Sequence, residues 1–290
     1  MLADNVRPRE KCVMNTGLQR PPYFAYWGKA CPQDETAERY HLLAFHSLDV
    51  AACGEELLRL PHLSLAALSA DLGWPLPVVQ SWFVFFLAIH DVGKFARAFQ
   101  NLAPDLSPDL VPKNPRKQYG ERHDTLGWLF WRDKGAAHVL GESRSEEDFW
   151  DDWMRTAAGH HGKPPRETAS SGNRQLYSDD FFLPEDFTAA LSFVDVMKAL
   201  LIPGEMPVFN SEEVRILKRH SWRLAGLAVL ADWLGSDSGS FAYREEPFPI
   251  KEYWEQIAQP RAEAASSCCV ERKLPLRICF SVSAAKKRST

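Results

Sequence analysis

The 290-residue chain is poor in strand signals, has no cysteine pair at CxxC spacing, and carries no G-x-x-x-x-G-K-[ST] phosphate loop. Each absence removes a class. Without period-2 alternation of apolar and polar residues, a sheet-based architecture has no support. The six cysteines, Cys12, Cys31, Cys53, Cys268, Cys269 and Cys279, show no paired spacing, and Met1 to Arg20 is polar and charged with no leader pattern. Together these predict a reduced, cytoplasmic setting. No apolar run reaches the ~18 residues of a membrane-spanning helix, because the longest is interrupted by His90-Asp91. A soluble protein with no membrane partner is therefore expected. The net charge of 34 − 38 = −4 gives no global attraction to nucleic acid, so any such binding must come from local basic patches or from metal in a cleft.

What is present is helical periodicity and a large apolar content. Hydrophobic residues make up 45% and aromatics 12%, ample for a sizeable core. The spacing predicts helices over Glu38 to Leu60, Ser81 to Gln100, Asp124 to Arg132, Glu146 to Ala158, Pro184 to Leu201 and Ser211 to Leu234, an all-α bundle. Two long proline- and cation-bearing stretches, Asn101 to Glu121 and Gly162 to Asp180, interrupt the pattern and either line a binding site or run as surface loops. After the aromatic-rich segment Tyr243 to Ile257, residues Arg261 to Thr290 hold seven basic side chains against Glu263 and Glu271, a local net of +5. Residues 266–290 read as a basic, flexible tail, either a solvated end or a nucleic-acid contact.

The most informative feature is His90-Asp91, which follows the apolar run Trp82 to Ile89 and precedes Val92-Gly93-Lys94. An adjacent imidazole and carboxylate in a buried helix are costly to desolvate, and a divalent metal suits both. Further ligands of the right kind follow the same habit of lying beside apolar helical stretches: His46, His123, the doublet His160-His161, and Asp232. Five histidines and two aspartates suffice for two metal ions. Consecutive helical positions point about 100° apart, so His90 and Asp91 would straddle two ions with the carboxylate bridging. Gly93 allows close approach of substrate or of a neighbouring helix, and Lys94 either adds a cation beside the metals or is solvated. Taken alone, His46 reads equally as a hydrogen-bonded core residue, His160-His161 as a solvated helix end closed by Gly162, and Asp232 as half of a salt bridge. His41 and His62 lie near helix ends, and His138 beside Gly135-Ala136-Ala137; all three read as solvated.

The order His, His-Asp, His, His-His, Asp resembles that of the HD-domain metal phosphohydrolases. Tyr26-Trp27-Gly28-Lys29, the run His41 to Ala52, His90-Asp91-Val92-Gly93-Lys94-Phe95, Gly159-His160-His161-Gly162 and the run Ala231 to Asp237 narrow the likeness. Together they resemble the HD nuclease domain of the type I CRISPR-associated helicase-nuclease, in the subtype whose surveillance complex is called Cascade. The likeness covers residues 23–265 and leaves 1–22 as an N-terminal extension. It implies an HD-domain helical bundle with a metal centre in the core cleft. It also implies a metal-dependent nuclease of antiviral defence, endo- or exonucleolytic, that cuts single-stranded DNA in the strand displaced by an RNA-guided surveillance complex. On that resemblance His46, His90, Asp91 and Asp232 hold one metal, and Asp91, His123, His160 and His161 the other. Asp91 and Lys94 are the catalytic candidates, Lys94 as a contact to the scissile phosphate. The mixed imidazole and carboxylate set suits manganese, iron, cobalt, nickel or zinc. Members of that family usually continue into a helicase, and the missing phosphate loop points to a separate helicase subunit as partner, or to an excised or truncated domain.

Two other readings stay open. A nucleotide or cyclic-dinucleotide phosphohydrolase uses a similar ligand order, but the Gly-Tyr-Pro signature of the cyclic-dinucleotide branch is replaced here by Gly162-Lys163-Pro164-Pro165. The other is a non-catalytic HD module that docks on the surveillance complex, its metals purely structural.

Overall fold

A computed structural model describes residues 20–31, 38–141, 149–169 and 172–271. The expected N-terminal extension up to residue 19, the start of the helix expected from Glu146, and residues 272–290 of the expected tail lie outside the described residues.

Two short strands, β1 (Trp27–Ala30) and β2 (Tyr40–Leu42), pair antiparallel with an irregularity between Trp27 and Lys29. The helix expected from Glu38 therefore begins only at Leu43, as α1 (Leu43–Arg59). Tertiary partners override the local period here, because Leu42 N–H donates to Arg244 O and Leu43 N–H to Tyr26 O. Next come α2 (Ala66–Leu72) and α3 (Leu76–Ala88), the latter opened by Pro75 and Pro77 where no intrahelical donor is needed.

The expected helix from Ser81 to Gln100 is not continuous. It stops at Ala88, Ile89 and Asp91 leave helical geometry (φ −109°, ψ 8° and φ −101°, ψ 16°), a 3-10 turn covers Val92–Phe95, and α4 (Arg97–Gln100) follows an extended residue, Ala96. The break has a physical consequence. On a regular helix His90 and Asp91 diverge by about 100°; in the broken segment both side chains reach one cleft.

Beyond the first long connection, α5 (His123–Phe130) runs through a wide π turn (Trp131–Gly135) into α6 (Ala136–Leu140), longer than the expected Asp124 to Arg132. Helix α7 (Phe149–Ala158) ends in a 3-10 turn at Gly159–His161, and Gly162 takes the left-handed cap (φ 76°) that a β-carbon disfavours. Helix α8 (Pro184–Leu201) has the expected bounds. Helix α9 (Ser211–Gly235) is fixed at its start by Asn210, whose side chain accepts from Glu212 N–H at 2.8 Å while Glu213 accepts from Asn210 N–H at 3.0 Å. Finally α10 (Ile250–Tyr253), a π turn and α11 (Gln259–Glu271) return to the core, so the chain is still helical at the expected tail boundary of 265/266.

Helix α1 is the hub, packed against α3, α9 and α11. Gly235 at the end of α9 permits the α1 contact, since a β-carbon there would lie 2.7 Å from Val50 Cα. Helix α3 is buried along Trp82, Phe83, Phe85, Phe86, Leu87 and Ala88, each large side chain contributing about 1.5–3 kcal/mol of burial. Phe86 stacks against Trp150 and Trp153 of α7 at interplanar angles of 16° and 17°. Contrary to the sequence expectation, Leu76–Phe95 is by length and composition long and apolar enough to cross a membrane; 72% of its most apolar 18-residue window is buried inside the protein.

The connection from Asn101 to Glu121 is tied down rather than loose. Asn101 Nδ2 donates to Asn114 O and Lys117 O, Asn114 N–H donates back to Asn101 Oδ1, and Arg97 donates to Pro112 O. A buried carboxylate, Asp186 at the start of α8, gathers Tyr26 OH, Arg97 N–H and guanidinium, and Leu183 N–H.

His62 and His138 are exposed, as expected, but His41 is not. It is 2% exposed, with Nε2 2.9 Å from Asp49 Oδ2, while its Nδ1 accepts from Arg244 N–H and Tyr253 OH donates to Asp49 Oδ1 at 3.0 Å. The strand at Tyr40–Leu42 turns His41 inward, where a helix end would have left it in water. Removing one partner of a buried pair typically costs about 3–5 kcal/mol. His41→Ala should therefore lower unfolding stability by about that amount in urea titrations of the metal-free protein, with bound metal per folded chain unchanged; an unmoved midpoint would show that the pair carries no stability.

Candidate metal centre

All seven ligand candidates converge, delivered by five elements. His46 comes from the first turn of α1, His90 and Asp91 from the broken segment after α3, His123 from the first turn of α5, His160 and His161 from the turn closing α7, and Asp232 from the last turn of α9. Asp91 lies at the centre. Its Oδ2 is 3.2 Å from His46 Nε2 and 3.3 Å from His90 Nε2, and its Oδ1 is 3.3 Å from His123 Nε2 and 3.6 Å from His160 Nε2. The two oxygens of one carboxylate thus face two separate sets of imidazoles. Asp232 Oδ1 joins the first set, 3.8 Å from His46 Nε2 and 3.7 Å from His90 Nε2. His161 joins the second, with its Nε2 2.8 Å from His123 Nε2.

Each ring is turned by what its other nitrogen meets. His90 Nδ1 donates to Leu87 O at 2.6 Å and His160 Nδ1 to Ala157 O at 3.0 Å, both three residues back, so Nε2 is presented to the cleft in each case. His123 Nδ1 faces Tyr119 OH at 3.4 Å, and that hydroxyl also accepts from His123 N–H at 3.0 Å. Gly93 brings the broken segment against α5: a β-carbon there would sit 2.0 Å from His123 O and 2.3 Å from Gly127 N. Of the two alternatives for Gly93, approach of a neighbouring helix is the one the packing uses.

Lys94 is buried, not solvated. Its Nζ lies 2.6 Å from Asp91 Oδ2, donates to Gly28 O at 3.1 Å, and stands over the Phe99 ring at 5.6 Å. Several participants are unremarkable in sequence: Tyr119; Ser236, whose hydroxyl donates to Asp232 Oδ1 at 3.0 Å; and Lys29, whose Nζ donates to Ser236 Oγ at 2.8 Å. Lys29 and Ser236 fall inside the quoted family words, but nothing in their chemistry marks them.

The electrostatics prepare a ligand set. Burial opposes ionisation of Asp91, yet Lys94, His90 and His123 outweigh it and hold the carboxyl well below its ordinary value. Asp232 is likewise held low against burial, by the adjoining His90 and by Lys29. Burial, joined by Lys29, pushes His46 well below the usual imidazole range; burial also lowers His123 strongly, His160 to about 3, and His161. These four imidazoles are neutral at neutral pH. His90 differs, because Asp91 and Asp232 overcome its burial and raise it to about 9.

A cation fits what these residues leave unsatisfied. His90 Nε2 and Asp91 Oδ1, both facing the cleft, are buried side-chain atoms without a hydrogen-bond partner, a costly state for polar groups. Two groups, His46/His90/Asp91 and His123/His160/His161, each have ligand atoms within 4.8 Å of one another. Neutral imidazoles and ionised carboxylates at that spacing are the donors a divalent transition ion takes.

A helical bundle that gathers histidines and aspartates from five elements into one buried cleft is the arrangement of an HD-domain protein. The family model described as Cas3, HD domain, matches residues 27–241, and the chain belongs to that family. Among similar proteins is the CRISPR-associated endonuclease/helicase Cas3 of Escherichia coli (strain K12), 28% identical over 248 residues, 76% of this chain. This chain spans 27% of that protein's length. The crystal structure of the Thermus thermophilus Cas3 HD domain in the presence of Ni2+ superposes with a TM-score of 0.55 at 22% identity, covering 86% of this chain and 89% of that one. A chain from a CRISPR RNA-guided surveillance complex in a pre-nicking state gives 0.62 at 18% identity, over 90% of this chain and 31% of its own.

Ligation needs a neutral imidazole, while His90 keeps a proton up to about pH 9 in the metal-free protein. Metal uptake near neutral pH should therefore release that proton, and apparent affinity should rise about tenfold per pH unit between about pH 7 and 9, then level. Calorimetric titration with Mn2+ or Co2+ in buffers of differing ionisation enthalpy reads both quantities. Affinity independent of pH over that window would show that His90 is not displaced from its proton.

Proposed function

We propose that this chain is a metal-dependent endonuclease that hydrolyses phosphodiester bonds of single-stranded DNA in CRISPR interference, holding two divalent transition ions. The observation that carries the reading is the division of labour at Asp91, whose two oxygens face two distinct histidine sets. His46, His90, Asp91 and Asp232 would hold one ion, and Asp91, His123, His160 and His161 the other. Bound divalent ions in such a pair supply water of lowered pKa and neutralise charge developing on a phosphoryl group. The chain's own residues set the stage. Asp91 spans both sets, and the carbonyls of Leu87 and Ala157 hold His90 and His160 with Nε2 in the cleft. Lys94 keeps a cation beside the bridging carboxylate, where an anionic phosphate would approach.

Support for the substrate comes from the family and from the names of the relatives, an endonuclease/helicase and a surveillance complex. Accordingly the partners we propose are single-stranded DNA, the RNA-guided surveillance complex and a helicase unit that exposes the strand, in a cytoplasmic setting. The half-buried His123 and exposed His161 mark the solvent side of the cleft by which a strand would enter.

The purified chain supplied with manganese, cobalt or nickel should degrade single-stranded DNA with little sequence preference and leave intact duplex largely untouched in gel assays. Equal rates on both substrates would reject the proposal, and rapid hydrolysis of cyclic dinucleotides would replace it.

Asp91→Ala should lower cleavage by about a hundredfold or more and reduce bound metal from two ions toward one or none, since it removes a ligand from both sets. Elemental analysis showing full occupancy alongside full activity in that variant would end the two-ion assignment.

A further inference from the structure

Strand β1 sits irregularly at the edge of the centre. Its pairing with β2 slips between Trp27 and Lys29, the kind of bulge that re-aims a side chain. At the slip, Gly28 lies so close to α1 that a β-carbon would meet Leu43 Cα at 3.0 Å and His46 Cβ at 3.2 Å. Two hydrogen bonds leave this point for the two carboxylates of the site. Gly28 O accepts from Lys94, which itself pairs with Asp91. Lys29 Nζ donates to Ser236 Oγ at 2.8 Å, and the Ser236 hydroxyl donates onward to Asp232 Oδ1 at 3.0 Å.

The two carboxylates differ in how firmly the centre itself holds them. Asp91 is 1% exposed and surrounded by imidazoles on both sides, whereas the Asp232 side chain is 13% exposed and reaches His46 and His90 only at 3.8 and 3.7 Å. Asp232 stands in the last turn of α9, where Ser236 N–H donates to Asp232 O and closes the helix. An edge carboxylate at a helix end can swing toward water unless something outside the centre fixes its rotamer.

We infer that Lys29 and Ser236 are a positioning pair, in which the bulged strand, through Lys29 and the Ser236 hydroxyl, fixes the Asp232 carboxylate facing His46 and His90. The inference rests on the proposed reading of Asp232 as a metal ligand. Neither residue touches the metal or the substrate in this role; the hydrogen-bonded chain ends on Asp232. Supporting contacts of this kind typically alter metal affinity 10–100-fold.

The test uses the full chain titrated with Co2+, read by calorimetry and by the visible ligand-field absorption, with thermal midpoints of the metal-free variants as the check on folding. Ser236→Ala and Lys29→Met should each weaken Co2+ binding about tenfold or more and alter the absorption envelope. The double variant should be little worse than either single change, because the two residues form one chain to one carboxylate. Ser236→Thr and Lys29→Arg, which keep the hydroxyl and the cation, should restore most of the affinity. In an Asp232→Ala background, adding Lys29→Met should cost far less affinity than it does in the wild type.

If Asp232→Ala by itself leaves Co2+ binding intact, the reading of Asp232 as a ligand fails. If Asp232→Ala weakens binding but Ser236→Ala and Lys29→Met retain wild-type affinity and spectrum, the positioning pair is overturned while the metal centre stands. It is also overturned if Lys29→Met weakens binding equally in the Asp232→Ala background, or if it raises KM for DNA with metal binding unchanged.

Discussion

Everything around the cleft answers to one constraint: an ionised carboxylate, Asp91, lies in an interior that is otherwise aromatic and aliphatic. Phe85, Phe86, Phe95 and Phe99 are buried on neighbouring turns, and an unpaired charge among them would cost several kcal/mol. The chain meets the cost with Lys94 on one side and imidazoles on both. That arrangement is possible only because the helix ends before His90, because Gly93 lets α5 close in, and because α7 finishes in a turn that presents His160 and His161. Elements distant in sequence are thus arranged around the needs of two oxygen atoms.

The charge balance of the metal-free centre is uneven. Four imidazoles are pushed toward neutrality by burial, and the fifth, His90, keeps a proton because Asp91 and Asp232 flank it. His90 and Lys94 together give the metal-free protein cationic partners for its two carboxylates, so the fold need not wait for an ion in order to bury them. The same proton must leave when His90 becomes a ligand, which ties occupancy of the site to pH.

Much of this was legible in the sequence for a simple reason: charged and imidazole side chains beside long apolar runs are rare unless partnered. His90-Asp91 and Asp232 announce themselves that way, while His160-His161 gained meaning only beside them, and the bounds of α8 follow from a clean apolar period. What escaped depends on contacts remote in sequence. The period runs through Ser81 to Gln100 without interruption, yet the chain breaks there because Asp91 and Gly93 have partners on other elements. Tyr40–Leu42 keeps a helical pattern but pairs with β1, and that turn carries His41 inward to Asp49, where position alone suggested solvent. Lys29, Tyr119 and Ser236 are common residue types whose meaning lies entirely in what they touch. Whether the connection from Asn101 to Glu121 lines a site or runs as a surface loop stayed open because its anchors are backbone carbonyls, which leave no trace in residue identity.

The gradient of exposure across the centre has a kinetic corollary. His46 and His90 are wholly enclosed, while His161 stands in solvent and His123 is half-covered. On the two-ion reading, the position bounded by His123, His160 and His161 communicates with bulk water directly, whereas the one bounded by His46 and His90 meets water only at its Asp232 edge. Exchange at the outer position is then governed by ligand dissociation alone, and exchange at the inner one by how firmly the Asp232 carboxylate is held. One centre would present two very different residence times, and the chain could lose its outer ion while the inner one continues to brace the fold.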